Sequence, residues 1–244
     1  MILEFKGQRA KLYNNLEWAT KPSFIDPILN IGCFQSTDRV LDVGTGTGII
    51  AKAISPLVKE VIGIDISKFM LELCSHNSNI QQVVGDIRKT EMENNSFDKI
   101  VARQTFHHIL TDTQKAVDNC YRMLKINGRM IIAEGVPPTL EIKPHYERVF
   151  ALKEERLVFM EQDLVNLLTN SGFKNTLVIN IWQKQMSIRN WLTNSGLPQK
   201  TQDSIFQLFP ANRSICVKAY KMTEQDGDCF IDMKQAIVTG WRTE

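Results

Sequence analysis

The stretch that decides the fold is Val40–Gly48, VLDVGTGTG, in which a short apolar run ends in three alternating glycines. Arg39–Val43 predicts a buried strand, and the apolar residues after Gly48 predict a helix. Glycines between a strand and a helix let the backbone approach a ligand closely. The turn is therefore the first candidate ligand site.

The details of this turn argue against a nucleotide pyrophosphate. A dinucleotide could use a similar turn, but its glycines usually follow the spacing Gly-x-Gly-x-x-Gly rather than Gly-x-Gly-x-Gly. Asp42 also precedes the first glycine by two residues. A carboxylate there would repel a pyrophosphate, whereas it could receive an ammonium group directly or through water.

Two further acids follow the next predicted strands. Asp65 comes directly after Glu60–Ile64, where its carboxylate could accept hydrogen bonds from both hydroxyls of a ribose. Asp86 follows the short strand Gln82–Val84, in a position to meet an adenine amino group, and Ile87 could cover the ring. The pattern indicates an adenosine-containing ligand with a cationic end.

With these motifs in order, residues 38–134 resemble the class I S-adenosylmethionine-dependent methyltransferases, and most of all the small-molecule branch that includes ubiquinone and menaquinone biosynthesis enzymes. In that family the glycine turn holds the methionine end of the cofactor, the acid after strand two binds the ribose, and the acid after strand three faces the adenine. The resemblance implies a cofactor site of Asp42, Gly44, Thr45, Gly46, Gly48, Asp65, Ile66, Met70, Gly85, Asp86, Ile87 and Arg103.

The fold expected is α/β: a Rossmann-like, seven-stranded, mostly parallel sheet with helices on both faces and an antiparallel last strand. We expect one domain over 1–244, with an N-terminal helical segment at 1–37 and a cofactor-binding core at 38–134. The late strands are expected at Thr176–Trp182 and Phe230–Gly240, with a helical substrate cap at 183–229 inserted between them.

Local signals place some helix ends. Ser67 is expected to cap the helix after the second strand. Thr111 and Gln114 have the spacing of a capping box at the start of a helix that is expected to stop at Asn127-Gly128. A further helix is expected from Glu161 to Asn170.

Catalysis is expected after the fourth strand, Lys99–Ala102. His107 or His108 would lie near the methyl group and could take a proton from the acceptor, or either ring could simply pack against the next helix. Arg103 could pair with the cofactor carboxylate or orient an anionic substrate. The expected acceptor contacts are Tyr13, which could instead belong to the core, Glu134, which could instead be exposed, and His145.

Composition narrows the class of protein. The chain has 244 residues, 43% of them hydrophobic, and a net charge of +2. Basic and acidic residues are interleaved, so no nucleic-acid partner is expected. Five cysteines without Cys-x-x-Cys spacing, with neither a signal peptide nor a long apolar segment visible, predict reduced thiols in the cytoplasm. No metal is expected, because the histidines and acids near the site lack typical ligand spacing.

The function expected is transfer of a methyl group from S-adenosylmethionine to an oxygen, nitrogen or carbon of a small organic molecule. The alternatives are an NAD-dependent oxidoreductase and a non-catalytic S-adenosylmethionine-binding protein. Methylation of a macromolecule is a third, although the Asn/Asp-Pro-Pro-Tyr/Phe motif typical of many such enzymes is missing after strand four. The acceptor and the oligomeric state stay open at this point.

Overall fold

The computed structural model describes residues 12–74 and 77–244, which form a mixed sheet flanked by helices. Its strands are β1 Arg39–Val43, β2 Glu60–Asp65, β3 Ile80–Val84, β4 Phe97–Arg103, β5 Leu124–Val136, β6 Lys174–Ser187, β7 Thr223–Gln225 and β8 Asp228–Trp241. The α-helices are α1 Glu17–Thr20, α2 Pro22–Gly32, α3 Ile49–Ile54, α4 Lys68–Leu71, α5 Thr113–Met123, α6 Lys143–Lys153, α7 Glu161–Asn170, α8 Ile188–Thr193, α9 Gln199–Ala211 and α10 Arg213–Tyr220.

The strands lie in the order β3-β2-β1-β4-β5-β8-β6, with the short β7 paired to β8 as a hairpin. The pairs among β1 to β5 are parallel, and β8 runs antiparallel to both β5 and β6. The predicted architecture is therefore confirmed, with β7 as an addition to the seven strands. The late strands are longer than predicted: β6 stays paired with β8 up to Ser187, and β8 begins at Asp228, where it pairs with β7.

Alternation along the strands feeds a core on each face of the sheet. In β1, Leu41 and Val43 belong to one apolar cluster, together with residues of α5 and α7. Val40 points the other way and packs with Ile28 of α2 and Ile54 of α3. Successive side chains of a strand therefore pack into the cores on opposite faces of the sheet, and the polar residues of the site lie at the strand ends.

A third cluster forms the core of the predicted cap, and it combines the helices α8, α9 and α10 with Ile142 and Val149. Val149 lies on α6, so that helix packs into the cap although it precedes β6 in the chain. The predicted boundaries 183–229 need adjustment, because β6 runs to Ser187 and β8 begins at Asp228.

Some of the predicted helix ends hold and others do not. The Ser67 hydroxyl accepts a hydrogen bond from the Met70 amide and caps α4, and the helix predicted from Glu161 to Asn170 is α7. The capping box at Thr111 is wrong: α5 follows Asp112, a left-handed residue whose side chain makes no capping bond. The helix ends at Met123, before Asn127-Gly128, because β5 already begins at Leu124. Within the described residues no helix is long and apolar enough to cross a membrane.

Candidate active site

A cleft opens at the carboxyl ends of the parallel strands β1 to β4, where ligands bind in open α/β sheets. Its empty volume is about 1030 Å³, including space open to solvent, which is large enough for a nucleoside-sized ligand. Every residue of the predicted cofactor site except Gly48 lines it. The two sequence-distant acids Asp42 and Asp65 therefore face one cavity.

The glycine turn is built from backbone that side chains would disturb. Gly44 and Gly46 have φ values of +68° and +55°. A Cβ on Gly44 would lie 2.3 Å from the Thr105 hydroxyl oxygen, and one on Gly46 would lie 3.2 Å from Cε of Met70. The left-handed backbone therefore favours glycine at both positions, and close packing against Thr105 adds to this at Gly44.

Gly48 differs from the sequence prediction, because it lies outside the lining of the cleft. It precedes α3 with a φ of +78°, and a Cβ there would lie 2.1 Å from the Cys74 sulfur. Its glycine identity is therefore explained by contact with the neighbouring Cys74 and by the left-handed backbone.

The Asp65 carboxylate organises two turns at once. One oxygen accepts the Gly46 amide at 2.9 Å and the other accepts the Ser67 amide at 2.7 Å. Burial raises the pKa of Asp65, and these backbone hydrogen bonds oppose the rise. Each carboxylate oxygen can accept more than one hydrogen bond, so hydroxyl donors of a ligand could still be received.

Asp42 is the most deeply buried acid of the cleft, at 1% exposure. One of its oxygens accepts the Thr45 hydroxyl at 2.7 Å and the Ala51 amide at 3.1 Å. Burial raises the pKa of Asp42 to about 7, and nearby Asp65 adds to the rise. A cationic ligand group would relieve this desolvation, which matches an ammonium partner better than an anion.

At the other end of the cleft, Asp86 is held by Arg88. The guanidinium donates to both carboxylate oxygens, and the shortest contact is 2.7 Å. Hydrogen bonding from Arg88 lowers the pKa of Asp86. The carboxylate is therefore fixed in place beside Ile87, which is buried at the cleft wall. Arg88 was missed by the sequence analysis, although its position two residues after Asp86 could have suggested it.

Three further residues of the predicted cofactor site, Gly85, Met70 and Ile66, also line the cleft. Gly85 donates its amide to the Asp65 carbonyl at 2.9 Å, which joins the turns after β2 and β3. Met70 is buried, whereas the Ile66 side chain is 46% exposed and leaves an apolar surface at the rim.

The N-terminal helical segment is tied to this cleft by polar contacts. Arg103 donates to the Ala19 carbonyl at 2.9 Å, and the Thr47 hydroxyl donates to Asn14 at 2.8 Å. Arg103 therefore binds the backbone near α1 while it lines the cleft. The side chain of Tyr13 lies outside the described part of the structure, so its predicted contact stays a prediction.

Comparison with known proteins agrees with this geometry. Residues 41–132, from β1 into β5, match the methyltransferase domain family. The uncharacterized methyltransferase YcgJ of Bacillus subtilis is 28% identical over 189 residues, covering 70% of each chain. The ubiquinone/menaquinone biosynthesis C-methyltransferase UbiE of Coxiella burnetii is 29% identical over 172 residues, covering 58% of this chain and 68% of that one. Together these matches support a class I S-adenosylmethionine-dependent methyltransferase.

Solved structures support the fold of this methyltransferase. The crystal structure of Bacillus subtilis YcgJ superposes with a TM-score of 0.78 over 90% of this chain and 98% of that one, at 22% identity. A phosphoethanolamine N-methyltransferase of Haemonchus contortus, solved with S-adenosyl-L-methionine, has a TM-score of 0.67 at 19% identity. The superposition covers 100% of this chain and 59% of the Haemonchus chain. The oxidoreductase alternative is not favoured.

S-adenosylmethionine fits the residues of the cleft. Its ammonium group suits the buried Asp42, and its ribose hydroxyls suit the remaining lone pairs of Asp65. The glycine turn leaves the approach to these two carboxylates free of side chains.

Beyond the cofactor cleft, a second cavity lies between the sheet edge and the cap, and we call it the acceptor chamber. Gln104 and His108 line both cavities, so these two residues mark where the cleft and the chamber meet. Gln104 has a left-handed φ of 54°, and its backbone N–H donates to the Ala133 carbonyl oxygen at 2.8 Å. The chamber is lined by Leu16, Phe24, Gln104, His107, His108, Gly135, Tyr146, Phe150, Lys153, Glu154, Arg156, Trp191, Ser195, Met233, Lys234 and Gln235.

His107 is oriented in this chamber by a buried carboxylate. Its Nδ1 lies 2.6 Å from Glu134 Oε2, while Glu134 Oε1 accepts the Thr105 and Phe106 amides at 2.9 and 2.7 Å. Glu134 is 0% exposed and lies outside the lining of the cleft and the chamber, so the surface alternative is wrong and it positions His107 instead of lining the acceptor's space. Burial raises the pKa of Glu134.

His108 has a different environment. Its ring centroid lies 4.0 Å from that of His107, and burial holds its pKa well below the usual range. His107, His108 and Glu154 bring ligand atoms within 4.8 Å of one another, a grouping that chain spacing did not reveal. Lys153 and Arg156 both pair with Glu154, and their positive charge would oppose a metal cation there.

His145 does not meet the prediction of an acceptor contact. It lies in the cap core, where Nε2 is 3.2 Å from the Leu208 carbonyl oxygen and the ring packs against Phe209. It lines neither the cleft nor the acceptor chamber. On the same helix, Tyr146 and Phe150 line the chamber instead. The residue that lines the chamber is therefore the one directly after the predicted His145.

Proposed function

We propose that this methyltransferase methylates a small organic acceptor at an oxygen or carbon atom that loses a proton. The observation that carries the proposal is the junction at Gln104 and His108, which joins the cofactor cleft to a chamber containing His107. An acceptor in this chamber would lie next to the bound cofactor. The names of the Coxiella and Haemonchus relatives, which refer to small-molecule methylation, support the same class of acceptor.

When bound, S-adenosylmethionine supplies a methyl group on a positively charged sulfur. The residues of this chain hold the acceptor and manage its proton. With Glu134 ionised, the 2.6 Å contact makes Nδ1 of His107 the protonated nitrogen, and Nε2 is then the atom that takes the acceptor's proton. Glu134 then stabilises the imidazolium that forms. Such a base contributes roughly 10²–10⁴-fold, and positioning contributes on the order of 7–11 kcal/mol.

The test is an incubation of the enzyme with methyl-labelled S-adenosylmethionine and a fractionated metabolite pool, followed by identification of the labelled product. We expect the label in a small molecule, with much less product from the His107→Gln variant. Label in RNA or protein would contradict the small-molecule acceptor, and cofactor binding without any labelled product would favour the non-catalytic alternative. A cytoplasmic location and the lack of a nucleic-acid partner stay predictions.

A further inference from the structure

One buried polar side chain of the acceptor chamber has no partner among the described residues. Gln235 is 0% exposed, and neither its amide nitrogen nor its amide oxygen makes a hydrogen bond there. It lies in the middle of β8, opposite Gly135 on β5 and Ile181 on β6. Neither neighbour has a side chain that could hydrogen-bond the amide.

An amide in this situation destabilises the folded protein. Buried polar groups almost always have a partner, because an unmet donor or acceptor has lost its water and gained nothing in return. Natural proteins keep such exceptions mainly where function requires them. Gln235 lines the same chamber as His107 and the junction residue His108, so a ligand in this chamber can meet the amide.

The charged side chains that line the chamber already take part in ion pairs with one another or with Glu161. Glu154 pairs with both Lys153 and Arg156, and Lys234 pairs with Glu161. Among the described residues that line the chamber, Gln235 is the neutral side chain whose buried polar atoms both lack a partner. It offers N–H donors and a carbonyl acceptor side by side, an arrangement that complements two neighbouring oxygen atoms of which at least one is a hydroxyl.

The acceptor chamber continues into a mainly apolar space. A third cavity continues from the chamber into the cap and shares Tyr146, Phe150 and Trp191 with it. Its further lining is mainly aliphatic and aromatic, with Val149, Met186, Ile188, Phe209 and Ile231. An acceptor that extends from Gln235 into this space buries an apolar body.

We propose that Gln235 is the residue that selects the acceptor, an apolar compound with hydroxyl or carbonyl oxygens on neighbouring carbons, at least one of them a hydroxyl. The amide N–H donates to one oxygen, and the amide oxygen accepts from the hydroxyl on the other. The proposal rests on the proposed function, because the same chamber contains the base His107. A site that hydrogen-bonds a hydroxyl rejects analogues that lack it far more strongly than an apolar pocket rejects size differences.

The test uses the Gln235→Met variant, which keeps the length of the side chain and removes both polar atoms. We expect its melting temperature to rise by a few degrees and its affinity for S-adenosylhomocysteine to stay unchanged. Equilibrium dialysis then measures the binding of 4-tert-butylcatechol, 4-tert-butylphenol and tert-butylbenzene to protein saturated with S-adenosylhomocysteine. Wild type should prefer the catechol over tert-butylbenzene by about tenfold or more, and the variant should lose this preference while binding tert-butylbenzene as before.

Thr239→Val is the matched control. Thr239 lies on the same face of β8, is 0% exposed and has an unpartnered hydroxyl among the described residues, but it lines neither the chamber nor the third cavity. Its substitution should also raise the melting temperature and should leave catechol binding unchanged. A lower melting temperature for Gln235→Met, or a wild type that binds the catechol no better than tert-butylbenzene, would overturn the proposal. The labelling experiment tests the proposed function independently: a labelled small-molecule product together with a wild type that shows no catechol preference would overturn this inference alone.

Discussion

The cofactor cleft and the acceptor chamber differ in how their polar side chains are satisfied. In the cleft, Asp65 accepts two backbone amides and Asp86 accepts a guanidinium before any ligand arrives. In the chamber, the Gln235 amide is buried without a partner among the described residues. The first site is held in its binding geometry by the protein itself, whereas the second depends on a ligand to complete it.

The two regions also differ in how the family match covers them. The cleft is made of consecutive strand ends, and the family match covers residues 41–132. The chamber combines the turn after β4 with α6, α8 and β8. We therefore expect substitutions in the cleft to change cofactor affinity and substitutions in the chamber to change turnover or acceptor choice.

The largest expected effect is that of His107→Gln. Turnover should fall by roughly 10²–10⁴-fold, because the acceptor loses its base, while cofactor affinity changes little. Isothermal titration with S-adenosylhomocysteine and initial rates on the identified acceptor separate the two effects. His145→Gln is the matched control, a buried histidine outside the cleft and chamber, and should cost stability with little loss of turnover. Equal turnover of His107→Gln and wild type would rule out His107 as the base.

Glu134→Gln should approach the same loss of turnover through His107. The glutamine oxygen can still accept the Thr105 and Phe106 amides, which turns the amide nitrogen toward His107 Nδ1. The ring proton is then forced onto Nε2, where a base needs a lone pair. Turnover should fall by about 10²-fold or more with the melting temperature retained, since the variant removes a buried charge. A variant with normal rates would contradict the positioning role.

Asp65→Ala should act on the cofactor instead. Loss of hydrogen bonds to a charged group costs about 1.5–3 kcal/mol, or roughly 10–150-fold in affinity. The control is Asp98→Ala, near the start of β4 and away from the cleft. The Asp98 carboxylate accepts from Lys125 and from the Arg39 amide, so its loss should leave the cofactor affinity unchanged. Calorimetric titration with S-adenosylhomocysteine measures both. Unchanged affinity for Asp65→Ala would remove Asp65 from the cofactor site.

The smallest predicted effect is a pH dependence of cofactor affinity. Because burial raises the pKa of Asp42 from 3.8 to about 7, the free enzyme holds a proton there more tightly than the unfolded chain does. Asp42 therefore makes the unliganded protein less stable as pH rises from 3.8 to about 7. An ammonium ligand pairs with the ionised form, so affinity should increase on the order of tenfold between about pH 5.5 and pH 7.5. Asp42→Asn, which can still accept from Thr45 and Ala51, should flatten this profile, and an equally steep profile in that variant would assign the titration elsewhere.

Local sequence was sufficient to predict the cofactor half of the fold. Short apolar runs and a turn residue at each strand end predict β1 to β4, and Asp42 and Asp65 follow from their positions in the chain. Gly48 shows where this reasoning fails, because its nearest obstacle is Cys74, a contact that no spacing rule contains.

The residues of the acceptor chamber could not be predicted from local sequence in the same way. His145 and Tyr146 are neighbours in the chain, yet one packs into the cap and the other lines the chamber, since the rotation of α6 is set by tertiary packing. Glu134 and His107 meet only because β4 and β5 are adjacent. Gln235 is an ordinary strand residue by sequence, and only the sheet register shows that its neighbours leave the amide without a partner.

The sheet holds the two ends of the cap at a fixed spacing. Ser187 and Phe230 are paired residues on β6 and β8, and the chain between them forms the helices of the cap and the β7 hairpin. Closing a loop of twice the length costs only about 0.6 kcal/mol more in chain entropy. The same methyl-donor platform could therefore carry inserts of very different length, provided that each covers the apolar face of α6. In engineering terms, the segment between Ser187 and Phe230 can be exchanged as one piece to reshape the apolar part of the acceptor space, while Gln235 on β8 stays in place.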